Sequence, residues 1–181
     1  WPRSPTSGAA IVRPVTSLPA VAPLAVDPWS DPRLRVPTAA EWAAMSEAAR
    51  ERVEERILDA LDSYREAMAE GTPHSRSKIG AYKDLVDHFG RTGRRVFLAT
   101  ELCVLYPGES AIVPDLLAVV DVEDPDQERN TWRVQDEGRG IDLVVEFRNL
   151  GKKHKDLVDN VEDFARLGIR EYFSFDCRTG R

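Results

Sequence analysis

Two apolar runs limit the folds open to this chain. Residues 112–120 read Ile-Val-Pro-Asp-Leu-Leu-Ala-Val-Val, and residues 141–147 read Ile-Asp-Leu-Val-Val-Glu-Phe. Short, nearly continuous apolar runs of this kind are typical of strands buried on both faces of a sheet. Residues 96–106 and 171–176 have a similar β-rich character and predict two more strands. The chain therefore needs helices that cover both faces of its sheet.

Two helices are predicted around these strands. The first ends at Gly90, begins at a cap on Ser75 or Ser77, and carries apolar side chains at helical spacing: Ile79, Tyr82, Leu85, Val86 and Phe89. The second covers residues 157–168 and ends at a glycine. The resulting order of helix, three strands, helix and strand predicts an α/β fold with a mixed central sheet.

The N-terminal part of the chain has a different pattern. Eight of the twelve prolines lie in residues 1–37, which predicts an extended or disordered arm. Thr38 followed by Glu41 forms a capping box, so a long amphipathic helix is expected across residues 38–70. Its apolar stripe either packs on the parent domain or pairs two copies of the chain. Residues 71–181 then form the core, and the natural chain is expected to continue beyond them.

Composition excludes several classes of protein. No run of 18 or more apolar residues is present, so a membrane span is not expected. The two cysteines, Cys103 and Cys177, form neither a disulfide framework nor a zinc motif, which indicates the reducing cytoplasm. A formal net charge of −6 argues against a protein that coats nucleic acid through bulk charge, although a local basic patch could still bind phosphates.

Acidic residues interrupt two of the predicted strands. Asp115 follows a proline, and Glu146 follows Leu-Val-Val. Carboxylates at the ends of buried strands need a partner, and Mg²⁺ prefers such oxygen ligands. Four basic residues come after Glu146 and before the next acid: Arg148, Lys152, Lys153 and Lys155. Acids that can bind a metal beside cations that can bind phosphate suggest phosphodiester chemistry.

The same residues resemble a nuclease signature. Pro114-Asp115 followed by Glu146-Phe-Arg148 matches the PD-(D/E)xK pattern, with Arg in the place of Lys. More closely, the stretch from His74 to Asp176 resembles the Uma-two family of restriction endonucleases. The segments that carry this resemblance are Pro114 to Val120, Val144-Val-Glu146, Lys155-Asp156 and Phe164 to Asp176, within which Gly168-Ile-Arg-Glu-Tyr-Phe is the most specific.

The resemblance implies a restriction-endonuclease-like αβββαβ core and hydrolysis of double-stranded DNA with Mg²⁺ or Mn²⁺. It implies that Asp115, Glu146 and the main-chain carbonyl of Phe147 hold the metal. Glu101 either reaches the same metal or a second one, or faces solvent. His74 stands where the family often has a histidine before its first core helix, and it either belongs to the site or only begins the helix.

Two departures from the family pattern bear on catalysis. Arg148 takes the place of the signature lysine, and Asn160 takes the place on the following helix where many Uma-two proteins carry it. Arg is effectively never deprotonated and Asn carries no charge, so neither replaces a base directly. Lys155 is the best remaining candidate for the catalytic cation, while Lys152 and Lys153 would join it in binding DNA phosphates.

Three functional hypotheses follow. The first is a Mg²⁺-dependent endonuclease that acts as a homodimer on the two strands of a duplex. The second is a nuclease-fold protein that has lost catalysis and serves as a DNA-binding or assembly module. The third is a sugar or nucleotide hydrolase that uses the same two acids.

Overall fold

The structure is a computed structural model that describes residues 30–65, 71–148 and 160–177. Its helices, in addition to a 3-10 helix at Pro32–Leu34, are α1 Ala39–Ala44, α2 Glu47–Arg65, α3 Thr72–Thr92, α4 Val134–Glu137 and α5 Asn160–Arg166. Its strands are β1 Val96–Ala99, β2 Cys103–Leu105, β3 Leu116–Val120, β4 Thr131–Arg133, β5 Leu143–Arg148 and β6 Glu171–Asp176.

The main sheet has four strands in the order β1-β3-β5-β6. β1 with β3 and β3 with β5 are antiparallel pairs, whereas β5 and β6 run parallel. The α/β fold with a mixed sheet, predicted from the order of the apolar runs, is confirmed.

The two faces of the main sheet are covered by different helices. Val144 on β5 belongs to a buried cluster with Phe164 of α5, whose ring lies 5.0 Å from that of Tyr172. Phe147, also on β5, packs its ring edge-on to His74 of α3. Residues three apart on a strand point to opposite faces, so α5 and α3 lie on opposite sides of β5.

The predicted strand over residues 96–106 is two strands. Residues 100–102 interrupt it, and β2 leaves the main sheet to pair in parallel with β4. The turn is made by Glu101, whose φ of 54° is in the left-handed region. In the same way Pro114, which has no N–H to donate to a ladder, separates Ile112 from β3.

The N-terminal helices are built into the core of the protein. The capping box forms as expected, because Thr38 accepts from the Glu41 N–H and Glu41 accepts from the Thr38 N–H. The helix then breaks after Ala44 and restarts at Glu47. The apolar stripe of α2 joins one buried cluster with residues of β2: Ile57, Ala60, Tyr64, Cys103 and Leu105. This stripe therefore packs on the parent domain and is not exposed for pairing.

Leu34 and Val36, which the sequence placed in the predicted arm, belong to the packed core, while residues 1–29 of that arm lie outside the described residues. Leu34 and Val36 are each only 1% exposed and belong to the cluster that also contains α2 residues. The Val36 N–H donates to the Glu109 carbonyl at 2.8 Å, and the Ala111 N–H donates to the Leu34 carbonyl at 2.8 Å. The prolines of residues 1–37 did not mark the end of the arm correctly, because proline is compatible with a short, well-packed 3-10 turn as well as with an extended arm.

An ion pair between the buried Asp31 and the largely exposed Arg33 fixes the start of this segment. The Asp31 carboxylate accepts from the Arg33 guanidinium at 2.7 Å and from the Tyr64 hydroxyl at 2.6 Å. The Arg33 side chain, followed by the Tyr64 hydroxyl, holds the pKa of Asp31 well below its usual range. Because the folded-state pKa is lowered, the contribution to stability is present above the unfolded-state pKa of about 3.9 and is lost as pH falls below it.

We therefore expect Asp31→Asn to destabilise the protein more at pH 7 than at pH 3. The free energy of unfolding from urea titrations of both proteins at the two pH values measures this difference. An equal loss at both pH values would show that the carboxylate charge does not stabilise the fold.

The buried face of α3 differs from the predicted one. His74 and Lys78 are buried, whereas Ile79, Tyr82 and Val86 are 68%, 37% and 44% exposed. The helix begins at Thr72 after Gly71 and ends at Gly93, which has a φ of 66°, so neither the predicted cap nor the predicted end at Gly90 is correct. Apolar spacing alone selected the wrong face because α3 buries charged and polar side chains over the acids at the end of the sheet.

Within the parts of the chain that the structure describes, no helix is long and apolar enough to cross a membrane.

Candidate functional site

The two predicted acids lie at the same end of the main sheet. The register pairs Leu116 of β3 with Val145 of β5. Asp115 is the residue before Leu116, and Glu146 is the residue after Val145. Because β3 and β5 are antiparallel neighbours, both acids lie at the same end of this strand pair. The structure thus brings together two carboxylates that are far apart in the sequence.

Asp115 is held by three donors. Its Oδ2 accepts from the main-chain N–H of Phe147 at 2.8 Å and lies 3.1 Å from Nε2 of His74. Its Oδ1 lies 3.5 Å from Nζ of Lys78. A carboxylate only accepts, so Nε2 of His74 carries the proton in this contact. These partners fix the orientation of a carboxylate whose side chain is 15% exposed.

α3 supplies two of these donors from one face. His74 and Lys78 are four residues apart, which places them one turn apart on the same side of a helix. They are 8% and 6% exposed. The ring of Phe147 packs edge-on to His74, with 6.1 Å between the ring centroids. His74 is therefore part of the site, and of the two predicted alternatives this contact favours a site role over that of a helix-start residue.

Lys78 was missed by the sequence analysis. Lysine is almost never buried unless it is paired, and here its ammonium forms ion pairs with Glu101 and with Asp115. The sequence does contain a pattern that indicates Lys78. It lies four residues after His74, so on a helix its ammonium is on the same side as this candidate site residue. It was overlooked because Lys78 interrupts the apolar pattern that was expected to face the core.

Glu101 reaches the site through Lys78. Its main-chain N–H donates to the carbonyls of Pro114 and Asp115 at 3.1 and 3.3 Å, which ties the turn after β1 to the start of β3. A non-glycine residue with positive φ costs on the order of 1 kcal/mol. The side chain is 46% exposed and pairs with a buried ammonium, so it does not simply face solvent.

Glu146 opens onto a cavity on the other side of the sheet. The cavity has a volume of about 300 Å³, and Pro114, Glu146 and Asn160 share its wall with apolar residues of α5. Asn160 begins α5 and therefore faces the same space as Glu146. The volume is that of a small ligand. Six of the eleven lining residues are polar or charged: Glu109, Ser110, Glu146, Asn160, Asp163 and Arg166.

The remaining predicted residues divide into two groups. Arg148 is half-buried at the end of β5, and its Nε has no hydrogen-bond partner within the described part of the chain. Lys152, Lys153 and Lys155, the predicted phosphate contacts and catalytic cation, lie outside the described residues. Their roles stay predictions.

The donor chemistry of this site fits a hard divalent cation. Among residues 30–65, 71–148 and 160–177, no group of three or more His, Cys, Asp or Glu side chains is arranged to hold a metal. Mg²⁺, however, is usually bound by only one or two carboxylates and keeps several water molecules. Asp115 and Glu146 at neighbouring strand ends offer two such carboxylates, of which Asp115 contacts α3 and Glu146 lines the cavity beside α5. The Phe147 carbonyl belongs to the residue whose N–H already binds Asp115.

Comparison with protein families agrees with this arrangement. Residues 45–181, well over half of the chain, match the family model Uma2, which is described as "Putative restriction endonuclease". The chain belongs to the Uma2 family. No match was found among curated proteins.

The Uma2 match covers every element that forms the site, from α2 to β6. It confirms the family resemblance seen in the sequence and supports a nuclease-like protein with a restriction-endonuclease-like fold. The match begins after α1, so Leu34, Val36 and Trp42 are buried residues outside the matched range.

Proposed function

We propose that this Uma2 protein is a metal-dependent endonuclease that hydrolyses phosphodiester bonds in double-stranded DNA. The observation that carries the proposal is the cluster around Asp115, in which a carboxylate at a strand end is oriented by His74, Lys78 and the Phe147 N–H. A purely structural acid needs far fewer partners, and buried histidine and lysine side chains are costly unless they are used or paired.

Asp115 and Glu146, with the main-chain carbonyl of Phe147, are the groups that would hold Mg²⁺ or Mn²⁺. When bound, the cation would supply Lewis-acid stabilisation of the phosphoryl oxygens. Glu101 lies one ion pair away from Asp115 through Lys78, so it would tune the charge of the site without contacting the same cation.

Lys78 would supply an ammonium next to Asp115, in the role of the signature lysine that Arg148 and Asn160 replace. During hydrolysis water adds to phosphorus, negative charge builds on the phosphoryl oxygens, and one P–O ester bond breaks. A preorganised ammonium in a water-poor site stabilises that charge without reorganising. His74 acts as a positioning residue, because its Nε2 proton keeps Asp115 in one orientation.

Substrate binding would use the basic residues after β5. Lys152, Lys153 and Lys155 would contact backbone phosphates, which gives affinity without sequence preference. The proposal includes a cytoplasmic location, based on the cysteine usage, and a homodimer.

A second function is favoured by one specific contact. Lys78 pairs with both Glu101 and Asp115, so one internal cation already offsets part of the negative charge of these acids. If this ion pair keeps a divalent cation from binding, the protein would be a nuclease-fold DNA-binding or assembly module that does not cut DNA. The Arg148 and Asn160 departures favour the same alternative.

Incubation of the full chain with supercoiled plasmid separates the two functions. We expect nicking or linearisation with Mg²⁺ or Mn²⁺, none with EDTA, and none from Glu146→Gln with any of these additions. Glu171→Gln is the matched control, since this glutamate is an exposed residue at the start of β6, away from the acids. DNA binding in a gel-shift assay without cleavage by the unaltered protein would favour the module and contradict the nuclease.

A further inference from the structure

The outer side of α3 carries an exposed apolar stripe. Ile79, Tyr82 and Val86 follow one another at spacings of three and four residues, so they lie along one side of the helix. Exposures of 68%, 37% and 44% are unusual for such large apolar side chains in a row. A contiguous apolar patch with a polar rim is typical of an interaction surface.

The residues beside the stripe show what it fits. Arg76, Gly80, Lys83 and Asp87 run parallel to the stripe at spacings of three and four residues. This line begins with the basic Arg76 and ends with the acidic Asp87. Among the described residues neither Arg76 nor Asp87 has an ion-pair partner, and a side chain on Gly80 would meet no atom within 4 Å.

We propose that this surface pairs α3 with α3 of a second copy of the chain, antiparallel about a two-fold axis near Tyr82. In that register Ile79 contacts the second copy's Val86, and Arg76 lies opposite Asp87, each contact being made twice. Lys83 lies over the open space at Gly80. An isologous contact of this kind is self-complementary in shape and in charge.

The size of the surface sets the expected affinity. The stripe with its flanking charges spans twelve residues from Arg76 to Asp87, which is about 17 Å of helix. One such helix pair buries much less than the roughly 800 Å² per partner of a stable complex. The dimer is therefore concentration-dependent, with a dissociation constant in the micromolar range. This inference rests on the homodimer included in the proposed function and assigns its surface, and its test needs neither DNA nor metal, so it can fail independently of the nuclease activity.

Sedimentation equilibrium of the full chain over about 1 to 100 μM tests the pairing, because this range brackets a micromolar dissociation constant. We expect a monomer–dimer equilibrium, weakened at least about tenfold in Ile79→Glu because two charges would be placed in the interface. Val161→Glu is the matched control, since Val161 is also an exposed apolar residue on a helix, α5, outside the stripe. It should leave the equilibrium unchanged.

A charge exchange tests the antiparallel register itself. Arg76→Glu and Asp87→Arg should each weaken the dimer several-fold through like-charge contacts, and the two together should restore it. Failure of the double variant to dimerise would overturn this register. A monomer at every concentration, or a dimer that Ile79→Glu leaves unchanged, would overturn the proposal. Exposed glutamate is a good helix former, so melting curves should show that Ile79→Glu folds normally.

Discussion

Replacing Asp115 with asparagine is expected to lower the rate of plasmid nicking by on the order of 10³-fold, or about 4 kcal/mol of activation free energy. The substitution removes the charge that would attract the divalent cation and keeps the size of the side chain. The amide oxygen can still accept from the Phe147 N–H, which now donates at 2.8 Å. Initial rates of nicking at saturating Mg²⁺ measure the effect, and circular dichroism shows whether the fold is retained.

Asp121→Asn is the matched control for this experiment. Asp121 follows β3 at the opposite end of the strand, is 62% exposed and pairs with Arg94. The same loss of one charge there should leave the nicking rate within about twofold, because exposed ion pairs contribute little. A rate for Asp115→Asn that matches that of Asp121→Asn would overturn the assignment of Asp115 to the site.

The second large effect is expected from Lys78→Met. Methionine fills a similar volume, so the substitution removes the ammonium without opening a cavity. Breaking a buried ion pair costs about 3–5 kcal/mol when both partners are buried. Glu101 is 46% exposed and can return to water, so the expected loss of stability is roughly 2 kcal/mol, or about 4–8 °C in melting temperature for a chain of this size.

Cleavage by Lys78→Met should fall by on the order of 10²-fold if its ammonium stabilises the charge at phosphorus. Loss of structure alone could also lower activity, so the Mg²⁺ dependence is the deciding measurement. Lys78 Nζ lies 3.5 Å from Asp115, a proposed metal ligand, so removing this positive charge should favour cation binding by about 1 kcal/mol. We therefore expect half-maximal activity at about fivefold lower Mg²⁺ concentration.

Lys155→Met is the comparison that decides between the two lysines. If Lys155→Met lowers cleavage and Lys78→Met neither slows the reaction nor shifts its Mg²⁺ dependence, then Lys155 is the catalytic cation, as the sequence predicted. Lys78→Arg keeps the charge and should retain more activity than Lys78→Met, although the planar guanidinium is not equivalent to an ammonium.

Much of the sheet could be predicted from local patterns. The run at residues 171–176 is β6 with the predicted ends, and residues 141–147 overlap β5 almost completely. Runs of β-branched and aromatic residues specify burial through their own composition, independent of the partner strand. Strand interruptions were not predicted, because the left-handed turn at Glu101 depends on hydrogen bonds to carbonyls from a different part of the chain.

Only part of the candidate site could be predicted, because local patterns reveal the acids but not their partners. Asp115 and Glu146 are visible in the sequence as acids that end apolar runs, and the register places them on neighbouring strands. The contacts of Asp115 with His74 and Lys78 are not visible, because they join a helix and a strand end that the sequence separates.

The sequence by itself determined the α/β class, the position of the acids and the capping box that begins the N-terminal helix, since each depends on residues close together in the chain. Only the tertiary structure decided which face of α3 is buried. The free energy of burying Lys78 is unfavourable until Glu101 and Asp115 are beside it. Those partners are assembled only when the sheet forms, and their assembly turns α3 so that its apolar stripe faces outward.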